Sequence, residues 1–480
     1  MRQRLDGQTI ALVVGTLLAL QFTLTAQSPV PHKRPLTYDV VDSWKSIQGT
    51  RLSNDGQWLA YALTSQGEDG ELIVRNTRSN QEFRHPRGTN SSFTIDGKLV
   101  VFTIAQPKAE EERENQQRER AEAQRGGEQT PEGRTPPAGR SGQTPSTGSG
   151  QGARRNEPRT GMGIMTLATG QVTAMEKVGS FQLPEESAAW LAYFRGIGGA
   201  PAGGGRGGRG AGGRRGAPPQ PPQGRGGSTR ERRKEPGSDL ILRNLATGEE
   251  TTIPEVTEYI FDKKGTHLAY TVSSIDATKD GAFARRLTDA SVTTLLSGRG
   301  RYRGIAFDDA GQQLAFLSDQ AEFEKPVAPY RLYFWKPGTA AAIELVSPAT
   351  VGMPKGMAVS ENGGARFSAD GSRLYLATAA PPPPPPDPNA RGPQPIAVDV
   401  WSWKDAQLQP MQRVRAEQER QRSYRAVVHL ADKKFVQLAT PEMPTVNPGD
   451  EAAMALGSSD IPYRMECPGT RATTTTSCSI

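Results

Sequence analysis

The sequence is poor in the residues that build metal centres and disulfide frameworks. It holds only two cysteines in 480 residues, Cys467 and Cys478, and both lie close to its end. The body of the protein therefore has neither a disulfide framework nor a zinc site. The four histidines are His32, His85, His267 and His429. They show no metal-ligand spacing, and His267 lies inside a strand pattern, where we expect a packed or edge residue. We predict no metal and no cofactor.

Long hydrophobic runs are also scarce, and the one uncharged apolar stretch of note runs from Ile10 to Leu24. Two arginines precede it, and Ala26 offers a small residue at a cleavage point. This arrangement is typical of a signal peptide over residues 1–26. A membrane span needs about 20 apolar residues, so we expect cleavage and a secreted or periplasmic protein without a stable membrane span. A retained N-terminal anchor is the alternative.

What the sequence does contain is a short phrase that recurs along the chain. In its first copy, Asp55-Gly56 leads into the apolar segment Trp58–Tyr61. Further copies lie at Asp96-Gly97, Lys264-Gly265, Ala310-Gly311 and Asp370-Gly371, and degenerate ones at Trp190–Tyr193 and Asp432–Val436. Each full copy predicts a tight turn with a positive-φ glycine, followed by a short buried strand. Such repetition is typical of a β-propeller.

The spacing of the copies supports this interpretation. Asp55 and Asp96 lie 41 residues apart, and the next two intervals both shrink to 36 once low-complexity residues are removed. One four-stranded blade takes roughly 40–50 residues. We therefore predict an all-β fold, a propeller of about seven four-stranded blades over residues 27–465, and leave open whether the ring is complete. A β-sandwich is the alternative, but it needs no repeated phrase.

Three insertions interrupt the repeat: residues 106–160, residues 197–237 and a Pro-rich loop at 379–395. The first two offer almost nothing that can be buried, so we expect them to be disordered. Between residues 200 and 237, nine basic and two acidic residues leave a net charge of +7, which equals the formal charge of the whole chain. The rest of the protein is therefore neutral overall.

The Gly/Arg-rich insertion resembles segments that bind RNA through charge and stacking. It lacks the interleaved aromatic residues of such segments, and an exported protein meets little RNA. We therefore expect no nucleic-acid partner. The RNA-binding alternative predicts a strongly salt-dependent affinity that is lost when residues 200–237 are deleted.

Four longer strings carry a family resemblance. They are Leu36–Thr50, Arg84–Thr89, Arg422–Leu430 and Leu456–Arg464. Together with the repeat they resemble the N-terminal propeller of secreted bacterial serine peptidases of the prolyl oligopeptidase family, over roughly residues 35–465. The resemblance implies that such a propeller caps an α/β-hydrolase domain, which carries the catalytic Ser, Asp and His.

The nucleophile of that hydrolase domain sits in a Gly-x-Ser-x-Gly turn. Three serines have a glycine two places before them, namely Ser141, Ser228 and Ser459. The residues two places after them are Gln143, Arg230 and Ile461. The motif is therefore incomplete in each case. We assign no catalytic, cofactor-binding or metal-binding residue and expect the chain alone to be inactive.

Residues 466–480 show neither a strand pattern nor a likeness to the repeat. Read one base out of frame, the four threonines at 473–476 would become codons for Tyr, Asn, His or Asp, as an aromatic-rich blade segment would need. We hypothesise that a frameshift near Glu466 has replaced the remaining chain, and a genuine Thr-rich terminus is the alternative. The coding DNA distinguishes the two.

The resemblance implies a non-catalytic propeller that controls substrate access in a secreted prolyl oligopeptidase-like serine peptidase, whose intact form hydrolyses peptides. The alternative is a self-sufficient periplasmic propeller that binds peptides, glycans or a partner protein, with all its blades within residues 27–465. If blades are missing after residue 465, open sheet edges predict an unstable or aggregation-prone chain.

Overall fold

The computed structural model describes residues 44–65, 67–126, 160–195, 236–383, 402, 404–449, 454–464 and 474–479. The predicted signal peptide and most of the three insertions lie outside these residues. Within them, the chain forms six antiparallel blades, of which blades 1 to 5 have four strands and blade 6 has five, and a seventh sheet of three strands. The predicted all-β propeller is confirmed.

The strands follow one another in chain order. Blade 1 comprises β1 (Ser46–Leu52), β2 (Trp58–Thr64), β3 (Glu71–Asn76) and β4 (Glu82–Pro86). Blade 2 comprises β5 (Gly88–Phe93), β6 (Leu99–Ile104), β7 (Gly161–Thr166) and β8 (Val172–Met175). Blades 3 and 4 share one sheet of β9 (Val178–Gln182), β10 (Trp190–Arg195), β11 (Ser238–Asn244), β12 (Glu250–Phe261), β13 (His267–Val272), β14 (Gly281–Arg286) and β15 (Val292–Ser297).

The second half of the chain continues the pattern. Blade 5 comprises β16 (Tyr302–Phe307), β17 (Leu314–Ser318), β18 (Arg331–Trp335) and β19 (Ile343–Val346). Blade 6 comprises β20 (Ala358–Val359), β21 (Arg366–Phe367), β22 (Arg373–Ala379), β23 (Tyr424–His429) and β24 (Lys434–Gln437), with β20 and β21 both pairing with β22. The seventh sheet comprises β25 (Thr445–Pro448), β26 (Met454–Ser459) and β27 (Thr474–Ser479).

Strand β12 belongs to two blades at once. Its first half pairs with β11, where Leu240 lies opposite Ile253, and its second half pairs with β13, where Tyr259 lies opposite Tyr270. Glu255, with φ 56°, marks the bend between the two halves. The last strand of blade 3 thus runs directly into the first strand of blade 4.

The repeated phrase has the predicted role in five places. Its glycines adopt positive φ in the turn between the first and second strands of blades 1, 2, 4, 5 and 6, and they are Gly56, Gly97, Gly265, Gly311 and Gly371. Trp190–Tyr193 begins the second strand of blade 3. Asp432–Val436 also forms a tight turn that leads into a strand, with Lys433 at φ 56°, but this turn joins β23 to β24 of blade 6. A left-handed turn residue suits any tight hairpin, so the phrase does not identify which hairpin it closes.

Two helices connect strands of blades 2 and 6. Helix α1 (Lys108–Gly126) corrects the expectation that the whole insertion 106–160 is disordered. Its Ala, Glu, Gln and Arg residues are strong helix formers, and Glu110 and Glu111 suit the positive end of the helix dipole. Helix α2 (Gln409–Arg420) has proline in its first turn, where the fixed φ of proline suits a helix start.

The tail also departs from expectation, because Thr474–Ser479 forms β27 and pairs with β26 along its whole length. β-Branched threonine favours strands, and the sequence pattern alone did not indicate this. The frameshift itself stays a hypothesis.

The three insertions share one topological position. Each joins the second strand of its blade to the third: β6 to β7, β10 to β11 and β22 to β23. Antiparallel strands alternate in direction, so all three insertions begin and end on the same face of the propeller.

The hydrophobic core lies between successive sheets. Six buried apolar clusters fill the junctions from blade 1/blade 2 through to blade 6/seventh sheet. At the junction of blades 3 and 4, Tyr259 is fully buried and meets the ring of Phe194 edge to face at 5.0 Å. Among the described residues, none of these clusters joins the seventh sheet to blade 1.

Candidate functional site

Polar side chains connect the innermost strands of blades 4, 5 and 6, close to the axis around which propeller blades are arranged. Glu258 on β12 is half-buried, and its Oε2 accepts a hydrogen bond of 2.7 Å from the backbone N–H of Gly304 on β16. Burial raises the pKa of Glu258, while hydrogen bonds from the Gly304 and Ile305 amides act in the opposite direction. The carboxyl group thus bridges blades 4 and 5.

The next bridge in the ring joins blades 5 and 6. Arg303 Nη1 lies 2.9 Å from Glu361 Oε2, and the Tyr330 hydroxyl donates to the same oxygen at 3.1 Å. Burial, with the nearby Glu361 carboxylate, raises the pKa of Tyr330. The side chains of Arg303 and Glu361 are 49% and 37% exposed, so both can reach a ligand. We call Glu258, Arg303, Tyr330 and Glu361 the axial polar cluster.

Backbone irregularity accompanies this cluster. The innermost strands of blades 1, 2 and 5 each contain one residue with positive φ, respectively Gly49, Asn90 and Gly304, and in blade 6 Gly364, also with positive φ, lies between β20 and β21. In blades 1, 2 and 5 the pairing register shifts at this point, as at a β-bulge. A bulge leaves some backbone groups without a partner in the neighbouring strand. At Gly304 the amide donates its hydrogen bond to Glu258 instead.

A separate cleft of about 230 Å³ lies between blades 4 and 5. Its polar and aromatic walls are His267, Arg286, Ser291, Thr293, Trp335 and Thr339. The indole N–H of Trp335 donates to the Thr339 carbonyl at 3.0 Å, and the Trp335 ring meets that of His267 edge-on at 6.4 Å. The cleft thus combines an aromatic wall with hydrogen-bonding groups.

The charges around the cleft balance each other. Arg286 Nη1 lies 3.3 Å from Asp289 Oδ2. Burial lowers the pKa of His267, an effect that Asp262 opposes and Arg286 reinforces. His267 is half-buried at the start of β13, in agreement with the expectation of a packed or edge residue. A neutral imidazole beside a balanced ion pair suits an uncharged hydroxylated ligand better than an ion.

The other residues singled out by sequence lie apart from both sites. His85 packs against the ring of Phe102 in blade 2, and His429 ends β23. Ser459 is buried in β26, where its hydroxyl accepts from the Ile461 amide. Ser141, Ser228 and His32 lie outside the described residues. Where the structure describes the chain, no three His, Cys, Asp or Glu side chains are grouped as metal ligands, and no helix has the length and apolarity of a membrane span.

The chain is only distantly similar to propellers of known structure. No protein-family model and no curated protein matches it. The β-propeller domain of the trilobed protease from Pyrococcus furiosus is 9% identical, with 86% of this chain and 91% of that chain covered and a TM-score of 0.32. Dipeptidyl peptidase 4 from Porphyromonas gingivalis is 10% identical, with 87% and 50% covered and a TM-score of 0.41.

A third similar structure is a prolyl endopeptidase, 12% identical, with 91% of this chain and 50% of that chain covered and a TM-score of 0.37. The chain therefore spans half the length of these two larger peptidases. At such identities and overlaps, these likenesses say nothing about activity or substrate.

Proposed function

We propose that this chain is the non-catalytic, substrate-access propeller of an exported serine peptidase of the prolyl oligopeptidase type, with peptides as the ligands of the whole protein. The axial polar cluster carries the proposal. It places a partly exposed cation and a carboxylate, with a phenol bonded to that carboxylate, at the boundary of blades 5 and 6, where a peptide entering the propeller could contact them.

Peptides offer the groups that such a cluster recognises. The Arg303 guanidinium can exchange its Glu361 partner for a peptide carboxylate or carbonyl, and Glu361 and Tyr330 can then bind a peptide amide or amine. An exposed ion pair contributes little to stability, so exchanging this pair for a peptide costs little. The resemblance of the sequence strings to prolyl oligopeptidase propellers supports the same ligand class.

Peptide binding to the purified chain tests the proposal. We expect fluorescently labelled short peptides to bind with an affinity that falls about tenfold in Arg303→Glu, the equivalent of about 1.4 kcal/mol. Arg420→Glu is the matched control, because Arg420 pairs with Glu417 on the exposed helix α2. Equal loss in both variants, or no peptide binding at all, would contradict a peptide-access role.

Hydrolysis assays address the non-catalytic part of the proposal. We expect no cleavage of fluorogenic peptides or esters by the purified 480-residue chain. Hydrolysis that disappears when one of its own serines is replaced by alanine would show that the chain carries its own nucleophile.

The cleft between blades 4 and 5 favours a second candidate function, a self-sufficient propeller that binds glycans. Its aromatic wall, balanced Arg286–Asp289 pair and threonine hydroxyls resemble the mixed apolar and polar lining of small-molecule sites. Saturation-transfer NMR with neutral monosaccharides should then show binding that Arg286→Ala abolishes. Arg285→Ala, one residue earlier in β14, is the control because neighbouring strand residues point to opposite faces.

A further inference from the structure

The innermost strand of blade 6 is interrupted by a short loop. Strands β20 and β21 both pair with β22, and residues 361–365, which lie between them, belong to neither strand. We call this segment the blade 6 loop. It carries Glu361 of the axial polar cluster and, directly after it, Asn362 and Gly363. The loop therefore places an Asn-Gly pair beside the cluster, and the sequence contains no other Asn-Gly pair.

The fold requires glycine at the second position of this pair. A β-carbon on residue 363 would lie 2.0 Å from the β-carbon of Ala377 on β22, which is far inside van der Waals contact. Only a residue without a side chain fits there unless the sheet moves. The packing of blade 6 thus fixes a residue whose backbone nitrogen no side chain shields, directly after an asparagine.

The two groups that could react with each other are free. Asn362 is exposed, and its backbone N–H donates to Ser360 Oγ at 3.2 Å. Among the described residues, however, neither the side-chain amide of Asn362 nor the backbone N–H of Gly363 makes a hydrogen bond. No contact has to be broken before the nitrogen of Gly363 approaches the side-chain carbonyl carbon of Asn362.

We propose that Asn362 is a site of spontaneous deamidation. Solvent base removes the proton of the Gly363 amide, and the nitrogen forms a bond to Cγ of Asn362. The bond from Cγ to the side-chain nitrogen breaks, ammonia leaves, and a cyclic imide remains. Water opens this ring at either of its carbonyl groups and yields aspartate or isoaspartate. The sum is one water consumed and one ammonia released, with no oxidation or reduction.

The product brings a new negative charge to the axial polar cluster. Arg303 Nη1 lies 2.9 Å from Glu361 Oε2, and both side chains are partly exposed. The new carboxylate is on the next residue, within roughly one Debye length of about 8–10 Å. It competes with a bound carboxylate for Arg303 and repels that ligand. This consequence rests on the proposed function, whereas the deamidation itself does not.

Peptide-mapping mass spectrometry of the full chain, incubated at neutral pH, tests the modification. The internal control is Asn244, whose Oδ1 accepts hydrogen bonds from the amides of Ala246 and Thr247 at 2.9 and 3.2 Å. Leu245 follows it. We expect conversion at Asn362 to be at least about tenfold faster, because each hydrogen bond broken before attack adds about 1 kcal/mol to the barrier. Equal conversion at the two sites, or none at Asn362, overturns the proposal.

The chemistry of the step gives two further checks on the same samples. The rate at Asn362 should rise with pH, because the Gly363 amide must lose its proton before it attacks. Asn362→Gln moves the carbonyl carbon one methylene further from that nitrogen, so conversion at this position should stop. Conversion that is independent of pH, or that continues in Asn362→Gln, would rule out attack by the backbone nitrogen. Circular dichroism verifies that the variant is folded.

Peptide binding tests the consequence for the axial polar cluster. We expect Asn362→Asp to weaken the binding of labelled peptides with a free carboxylate by about threefold, the scale of an exposed charge interaction. Amidated peptides without acidic residues should bind equally, and Asn244→Asp is the control. Equal affinities in the two variants would contradict the effect on the cluster. If no peptide binds the unmodified chain, the proposed function is wrong, whereas the mass spectra still decide whether Asn362 deamidates.

Discussion

The junction between blades 3 and 4 contrasts with the gap between blade 1 and the seventh sheet. At the first, Tyr259 and Phe194 are fully buried, and β12 runs unbroken from one blade into the next. At the second, Ile47 and Leu52 of blade 1 are more than half exposed. Both regions consist of antiparallel strands with an apolar face, so amino-acid type alone does not explain the difference.

The two regions differ in how many strands the neighbouring sheet has. Blades 3 and 4 both have four strands and share one of them, so each presents a full face to the other. The seventh sheet has three strands within the described residues, and only Met454 and Leu456 of β26 are large exposed apolar residues there. Burial scales with the area that two faces cover together, so a full sheet stabilises its neighbour more than a partial one.

The largest expected effect comes from removing a buried aromatic ring at the junction of blades 3 and 4. Tyr259→Ala removes a fully buried ring that contacts Phe194 and a hydroxyl that donates to the Ala192 carbonyl at 3.2 Å. We expect a loss of about 3–5 kcal/mol in the free energy of unfolding, as for other buried aromatic residues. Urea denaturation followed by tryptophan fluorescence measures it.

The matched variant at the gap between blade 1 and the seventh sheet is Leu52→Ala. Leu52 is 60% exposed, so we expect a change within about 0.5 kcal/mol. Similar losses in Tyr259→Ala and Leu52→Ala would mean that the two junctions are equally packed in solution.

Gly163→Ala should have the next largest effect. A methyl group at Gly163, on β7, would overlap the ring of Phe102, which is fully buried between blades 1 and 2. Overpacking of this kind costs about 1–3 kcal/mol. In a Phe102→Leu background the space is larger, so Gly163→Ala should cost less there. Additive losses in this double-mutant cycle would show that the two residues do not compete for space.

The sequence predicts the hairpins of this fold better than its site. The glycine of a tight turn is a local requirement, since only positive φ closes the hairpin, and Gly56, Gly97, Gly265, Gly311 and Gly371 therefore mark five blades. The continuous strand β12 was not predictable in this way. It contains Pro254, which usually argues against a strand interior, and the neighbouring blades override that local preference.

The axial polar cluster had no motif by which sequence could identify it. Glu258 and Gly304 are 46 positions apart, and Arg303 and Glu361 are 58 positions apart. Both distances correspond roughly to one blade, so the contacts arise only when successive blades pack side by side. The one available signal was a glutamate in the apolar segment Val256–Phe261, and by itself it does not indicate a partner.

A smaller effect, with a defined sign, is expected from Glu258→Gln at the junction of blades 4 and 5. Burial raises the pKa of Glu258 above its unfolded value, so its contribution to stability is full below that value and is lost as pH rises through the folded pKa. Glutamine keeps an acceptor for the Gly304 amide but does not ionise. Between about pH 4 and about pH 7, the variant should therefore gain stability relative to wild type. A relative loss would mean that the carboxylate is stabilised by its amide partners more than burial penalises it.

Asp370→Asn, in an exposed turn of blade 6, should show the opposite sign and the smallest effect. Hydrogen bonds from Ser368 and Ser372 lower the pKa of Asp370 to about 2. A carboxyl group with a lowered pKa stabilises the fold above its unfolded pKa, and this contribution disappears as pH falls from 3.8 toward about 2. The advantage of wild type over the variant should shrink over that range, by at most about 1 kcal/mol because solvent screens the exposed turn. Parallel pH profiles for Glu258→Gln and Asp370→Asn would contradict this comparison. They would mean that the fold shifts the pKa of both carboxyl groups in the same direction.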